Sequence, residues 1–514
     1  MNPYNLAVPA QLMAALGPEL LLSVGAILLM LWAAWRPDSA QHQRSVGIGS
    51  MVVTVLTGIA AIWYLYQQRT ATEGPIAVDN FRWMADAVIL LGTLFAVALT
   101  IDDNDRQGIT AGESHVLILF ASLGMMLLAA ARDLMIVFLG IELMSISIYA
   151  LAGINRRSAR GAEGALKYFL LGAFSTAFLL YGIALVYGAT GTTSLPLIAG
   201  RIHALDLLHS PLLLVGIAML LVGFGFKVAS VPFHMWAPDV YDGSPSPVTA
   251  YMAATVKAAA FAAFIRVWSE GFPEAFAQWH RAVAALAVAT MVFGNAIGLA
   301  QRNIKRMLAY SSIAHAGFIL VALAGGSVWS GPAALFYLLV YTLATFGAFA
   351  VIVLVARQGD SPVLIRDFEG LWSVRPWLAL SMGIMMLALL GFPIFGGGGF
   401  FAKWYVLQAA MLAPAPQVTL AVVMVLTTVV SAGYYLYVVM VMFMKPRAED
   451  AAAPAQAPFW TRAVMLVSVL AILALGVLPD RFSRLARAGV IIAHPDTTAL
   501  AATPAADPAA VSQQ

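Results

Sequence analysis

About fourteen apolar runs, each near the length that crosses a bilayer, follow one another along this 514-residue chain with short connections between them. A hydrocarbon core near 30 Å takes about 20 consecutive apolar residues as helix, and inside it every backbone N–H and C=O must be satisfied within the segment. The pattern therefore specifies an all-α polytopic membrane protein and leaves little chain for a soluble domain. Composition agrees, with 61% of residues hydrophobic and 10% charged, against about 25% charged in ordinary globular chains. The first run, Leu16 to Trp35, follows a stretch without Lys or Arg and contains Glu19. It lacks the basic start of a signal peptide and reads as the first membrane helix.

The expected helices cover residues 16–35, 46–66, 84–101, 115–131, 133–153, 165–188, 211–230 continuing brokenly to 240, 247–268, 279–300, 306–324, 332–356, 376–411 with a break, 418–443 and 461–478. The odd-numbered connections between them hold 16 Lys and Arg residues and the even-numbered ones, with Arg82 and Arg266 counted there, hold 6. By the positive-inside rule the odd connections are cytoplasmic and both termini lie outside, although Arg481, Arg484 and Arg487 argue the other way. Because the basic residues are spread over short loops between apolar runs, the net charge of +3 is a topology signal and excludes nucleic-acid binding. Residues 493–514, rich in Ala, Pro and Thr, read as a disordered tail.

Two runs are interrupted alike: Lys227 is followed by Ser230, Val231 and Pro232, and Gly391, Phe392 and Pro393 are followed by Gly396 to Gly399 and then Lys403. Pro232 and Pro393 are 161 positions apart, close to the 164 that separate the starts of the surrounding five-helix blocks at 115 and 279. An odd number of helices per block makes the second copy enter from the opposite side. The expected organisation is an N-terminal three-helix segment (1–114), two inverted five-helix repeats with broken helices 7 and 12 (115–268 and 279–443), a final helix with its flank (444–492) and the tail (493–514). Broken helices at matching places in inverted halves point to a transport site.

Ionisable residues at bilayer depth cost roughly 2.5 to 3.5 kcal/mol each on insertion scales and are functional by default. Four stand out: Glu142, Lys227, Lys257 and Lys403. The chain has 22 Arg and 6 Lys, yet every base assigned to the apolar runs is Lys, the side chain that releases its proton when desolvated. A Glu beside a Lys makes a switchable pair, so Glu142 near Lys227 would hold its proton and a loss of that partner would pass it to Lys257. The alternative is a set of structural ion pairs, but three lysines against one deep glutamate leave positive charge without a partner. His234, just past the first break, and His315, in YSSIAHAGF, suit proton hand-off, although a lone His among apolar residues is often a packing residue. Lys305 belongs either to a basic loop or to the inward end of the path. Asp133 reads as a helix-start acid, and Asp239 and Asp242 as part of a capping turn. The absence of cysteine removes any iron–sulfur cluster held by this chain alone. Electron transfer must occur elsewhere.

KVASVPFHMWAPDVYDGSPSPVTAYMA (227–253), NIKRMLAYSSIAHAGF (303–318) and Gly391, Pro393, Gly396 and Gly397 ahead of FFAKWYVL (400–407) resemble the antiporter-like membrane subunits of respiratory complex I, the proton-translocating NADH:quinone oxidoreductase. The likeness covers about residues 16 to 480. Within the family, Lys at 403 rather than Glu, and only 36 residues after Leu478, too few for a long lateral helix, set the chain apart from two of the three members. The resemblance implies two half-channels, with Glu142 and Lys227 in the first, Lys257 as a bridge and Lys403 at the exit of the second. It implies membrane-subunit partners, with NADH, FMN, iron–sulfur clusters and quinone held by those partners and no cofactor in this chain, and a bacterial-type inner membrane. Two departures are the Gly396 to Gly399 run, longer than the usual turn, and YTLATFGAF, which lacks a Met-Asn pair. A multisubunit sodium/proton antiporter is the alternative, since it shares these motifs. A solute transporter and a structural spacer are more distant readings.

Overall fold

The computed structural model describes residues 4–37, 39–67, 70–71, 74–394, 397–413, 416–447 and 454–479. The tail expected at 493–514 and the arginines Arg481, Arg484 and Arg487 lie outside them. Among the described residues the chain is helical, with only isolated β-bridges. The helices are α1 Gly17–Trp35, α2 Ala40–Gln67, α3 Asn80–Gln107, α4 Glu113–Ala130, α5 Leu134–Ala152, α6 Ala159–Thr190, α7 Pro211–Lys227, α8 Ser246–Gly271, α9 Phe276–Leu299, α10 Ile304–Ala324, α11 Ser330–Val355, α12 Pro376–Leu390, α13 Gly397–Met411, α14 Val418–Met444 and α15 Phe459–Val477. Twelve are long and apolar enough to cross a membrane; α7, α12 and α13 are shorter. Short helices at Pro9–Ala15, Leu195–Ala204 and Ala237–Gly243 fill connections.

Local chemistry sets the boundaries. Asp79, Asp133 and Asn303 accept backbone N–H groups of the first turns of α3, α5 and α10, groups that have no partner within the helix. Asp133 is thus the helix-start acid the sequence suggests, with Thr193 Oγ1 donating to it at 2.7 Å. Proline opens α7 and α12, where its missing N–H costs nothing. Gly391, at φ +83°, turns the chain out of α12, a left-handed conformation natural to glycine.

The interior is central. The apolar window of α8 is wholly buried, and those of α10 and α11 are 94% and 89% buried, whereas α1 and α15 bury only 28%. A lipid-facing helix leaves one side to hydrocarbon; α8, α10 and α11 have none to leave. Helix α8 carries two π-helical turns, Met252–Val256 immediately before Lys257 and Val267–Gly271 after Arg266. Such turns recur at functional sites because they rotate the following side chains off the regular helical face. Small residues bring helices α4 and α5 together: a Cβ on Gly124 would stand 2.5 Å from the backbone N of Met144. That approach fixes the height of Glu142 and Ser145 in the bundle.

Candidate functional site

The two breaks put lysines at helix C-termini. Lys227 is the last residue of α7, and Lys403, on α13, donates from Nζ to the terminal carbonyl of α12, Leu390 O, at 2.8 Å and to Thr428 Oγ1 at 3.3 Å. The carbonyl end of a helix carries partial negative charge and favours a cation. Helices α12 and α13 touch backbone to backbone, since a Cβ on Gly399 would lie 1.8 Å from Ala388 O. This contact holds the Lys403 stem against the break. Gly396 lies outside the described residues, and Gly397 to Gly399 form the first turn of α13.

Lys257 and His315 meet in the centre. Lys257 Nζ donates to both the carbonyl and the hydroxyl oxygen of Ser312 at 2.5 Å, and Tyr241 and Tyr341 also interact with Ser312. One turn along α10, the His315 ring bonds Tyr337 Oη through Nδ1 at 2.5 Å and Tyr435 Oη through Nε2 at 3.0 Å. Tyr435 in turn bonds Ser311. His315 and Lys403 line one small cavity, with Tyr337, Tyr341 and Ala388 around it, of ≈10 Å³, the scale of a single water site. Lys257, Ser312, His315 and Lys403 therefore form one row across α8, α10 and α13. All three lysines are buried, and Phe318 lies 4.7 Å beneath the Lys403 ammonium.

Lys227 lies within electrostatic reach of Glu142, as the sequence suggests, but its direct partner is another residue. Its Nζ donates to Ser145 Oγ at 2.6 Å, and no ion pair joins it to Glu142 among the described residues. Glu142 is partly exposed and lies three residues before Ser145, on the same face of α5. The pair expected from the sequence is one turn of helix apart, with a serine in between. From Lys227 towards the centre the chain of contacts is aromatic: Phe226 is 5.4 Å from Trp236, and Trp236 is 6.0 Å from Tyr241, which reaches Ser312.

Lys305 is buried at the start of α10 and donates to Asp242 O at 3.0 Å and Ser244 O at 2.5 Å. It lines a cavity of ≈70 Å³ with Asp103, Arg160, Asp242 and Asp360. Lys305 is thus neither a solvated loop residue nor part of the central row. It closes a polar mouth. His234 does not join the row; it is half-buried in the connection after α7, beside the backbone carbonyl of Pro232.

The stretch 131–431 matches the family described as NADH:quinone oxidoreductase/Mrp antiporter, TM. The chain belongs to this family. It is similar to NADH-quinone oxidoreductase subunit N of Gemmatimonas aurantiaca, 49% identical over 493 residues that cover 94% of each chain. Among solved structures it is similar to a chain of respiratory complex I from Thermus thermophilus with bound aureothin, at a TM-score of 0.76 and 37% identity over 91% of this chain and 99% of that one. A chain of the Mrp complex from a Dietzia species gives a TM-score of 0.82 at 20% identity, covering 95% and 99% of the two chains, a likeness of fold.

One part of this family member escapes sequence reading. Arg82 and Arg266, counted above with the connections, lie inside α3 and α8 and are wholly buried. The deep bases are therefore not all lysines. Arg82 Nη2 meets Glu19 Oε1 at 2.5 Å, and its Nε stands 3.6 Å from Asp86. Arg266 grips both oxygens of Asp79 at 2.7 and 2.9 Å and Glu270 at 2.6 Å, and Arg132 joins through Glu270 at 2.8 Å.

Proposed function

We propose that this chain is a proton-translocating membrane-arm subunit of an NADH:quinone oxidoreductase, driven by quinone chemistry in neighbouring subunits. The observation that carries the reading is the row Lys257, Ser312, His315 and Lys403, in which the buried ammonium groups bond only neutral oxygens. An ammonium without a carboxylate partner has nothing to hold its proton once a better acceptor comes into reach, whereas a carboxylate contact favours the charged form. Ser312 and the tyrosines at His315 both donate and accept, so a proton taken up at one lysine is passed along hydroxyls and imidazole. The single-water cavity links His315 to Lys403.

The aromatic contact between Phe226 and Trp236, ahead of the Tyr241 hydroxyl, supplies no such exchange. It separates the Glu142 and Lys227 unit from the central row and acts as a gate until water enters. Lys305 and the polar cavity around it serve as the inner inlet. In this reading residues 115–268 and 279–443 are the two inverted half-channels, both termini face outward, and His234 lines the approach to the first break. NADH, FMN, the iron–sulfur clusters and quinone belong to partner subunits; the lack of cysteine here supports that division for the clusters. The sodium/proton antiporter reading is weaker, because a relative 49% identical over 94% of each chain is a subunit N of NADH-quinone oxidoreductase and the likeness to the Mrp chain is one of fold.

Proton pumping and electron flow to quinone, measured together in membranes containing the whole complex with Lys227→Ala, test the proposal. Loss of pumping with the complex still assembled is the expected result. Unchanged stoichiometry would sink the proton-carrying role of Lys227.

A further inference from the structure

We propose that the groove between α12 and α15 holds one anionic phospholipid, with the phosphate at Arg375 and Arg462 and an acyl chain running down the groove. The groove encloses ≈590 Å³, within the roughly 300 to 1,000 Å³ of ligand sites. Its lining reaches from Arg375 to Ile384 on α12 and from Arg462 to Val469 on α15. The nine and seven residue-to-residue rises in these stretches correspond to about 13 and 10 Å at 1.5 Å per residue. Below the arginines the walls are almost wholly apolar.

Charge is confined to one end. Both arginines lie where their helices begin, so they share one membrane face, and no acidic residue lines the groove among the described residues. The Arg375 side chain is exposed and makes no hydrogen bond or ion pair there, and Arg462 uses only Nε, which donates to Ala457 O at 2.5 Å. The guanidinium forks are left open to a phosphate. The N-terminus of α12 adds its positive end. That of α15 does not, because Asp102 accepts its Thr461 N–H at 2.7 Å.

The rim is aromatic. Trp377, in the lining, is 75% exposed, and Phe459, three residues before Arg462 at the start of α15, is 71% exposed. Indole rings favour the headgroup level of a bilayer, which places the arginines at phosphate depth and the groove below it in hydrocarbon. Basic pockets between membrane helices select anionic headgroups. A zwitterionic lipid fills the apolar walls equally well but brings its own ammonium beside its phosphate, so it offsets the two guanidinium groups only in part.

The test is lipid retention by the purified complex after delipidation, counted by native mass spectrometry while phosphatidylglycerol or phosphatidylcholine is added back. Wild type is expected to keep one more phosphatidylglycerol than Arg375→Gln/Arg462→Gln, with at least a tenfold difference in the concentration needed. Phosphatidylcholine, whose own ammonium competes for its phosphate, should separate the two proteins by a clearly smaller factor. Ser381→Trp, which fills the groove and leaves both arginines, should remove the same single lipid. Equal phosphatidylglycerol retention in all three proteins overturns the proposal. So does capture of a protein segment, rather than lipid, by a photo-crosslinking residue at position 380.

Discussion

This membrane interior contains two kinds of buried base. At one end of α3 and α8, Arg82 and Arg266 face Glu19, Asp79, Asp86 and Glu270. In the centre, Lys227, Lys257 and Lys403 face serine, threonine and backbone oxygens. An arginine keeps its proton at any accessible pH, and its planar fork matches a carboxylate. The arginine cluster therefore fixes helices. In the proposed function, a lysine held by neutral oxygens is the base that gives its proton up. The difference between the clamp and the proposed relay lies in the choice of base together with the partner's charge.

Breaking the clamp gives the largest effect on stability. Arg266→Ala strands Asp79 and Glu270, and removal of one partner of a buried pair costs about 3 to 5 kcal/mol. Thermal unfolding and the amount of assembled subunit read this directly, and near-wild-type values for both would contradict the clamp. Lys257 is expected to behave in the opposite way. Lys257→Met should leave assembly intact, because no carboxylate is stranded, while pumping falls at least about tenfold, a barrier change of roughly 1.4 kcal/mol. Lys257→Arg sharpens the contrast: charge stays, proton release goes, and pumping should fall as far as with Met. Pumping retained in the Arg variant would mean that charge alone is what Lys257 supplies.

Smaller effects follow from the partners. Ser145→Ala removes the hydroxyl that Lys227 bonds; hydrogen bonds to charged groups contribute about 1.5 to 3 kcal/mol, and turnover coupled to pumping should fall by about tenfold or more. Ser145→Thr should restore most of it. The smallest effect lies outside the spans. Burial pushes the Asp239 carboxyl up, but Lys167 and Arg306 outweigh it and hold it below the ordinary carboxylate value. A carboxyl held lower in the folded chain contributes stability above its unfolded pKa of about 3.9, and that contribution fades as pH falls through the folded value. Asp239→Asn should therefore cost only about 0.2 to 1 kcal/mol at neutral pH, as half-exposed pairs do. The gap from wild type should close in acid.

The lysines were legible because each stands alone in an apolar run, where a single charge cannot be mistaken for a loop. The arginines were not, because Arg82 and Arg266 lie within a turn or two of the run ends, where a long base normally reaches water. A sharper signal existed: Glu19, Asp79, Arg82, Asp86, Arg132, Arg266 and Glu270 all fall near run ends that the helix count places on one side. Mixed charges gathered at one depth imply a shared site. The broken segments were legible from Pro232, Gly391 and Pro393, and the structure interrupts the helices there. The serine that takes the direct bond of Lys227 was not, because it depends on how α5 and α7 face each other across 82 residues of sequence. The π turn before Lys257 also leaves no mark in a run of alanine and threonine.

The narrow space between His315 and Lys403 bears on which ion can travel. Room on the scale of one water admits a hop of charge between neighbours, in which no nucleus heavier than hydrogen moves far. A sodium ion would have to arrive stripped of its hydration shell, and the groups around it, an ammonium, an imidazole and two phenols, offer no carboxylate to replace that shell. Under the proposed function, size and sign at this constriction favour a proton over sodium before any kinetic control is applied.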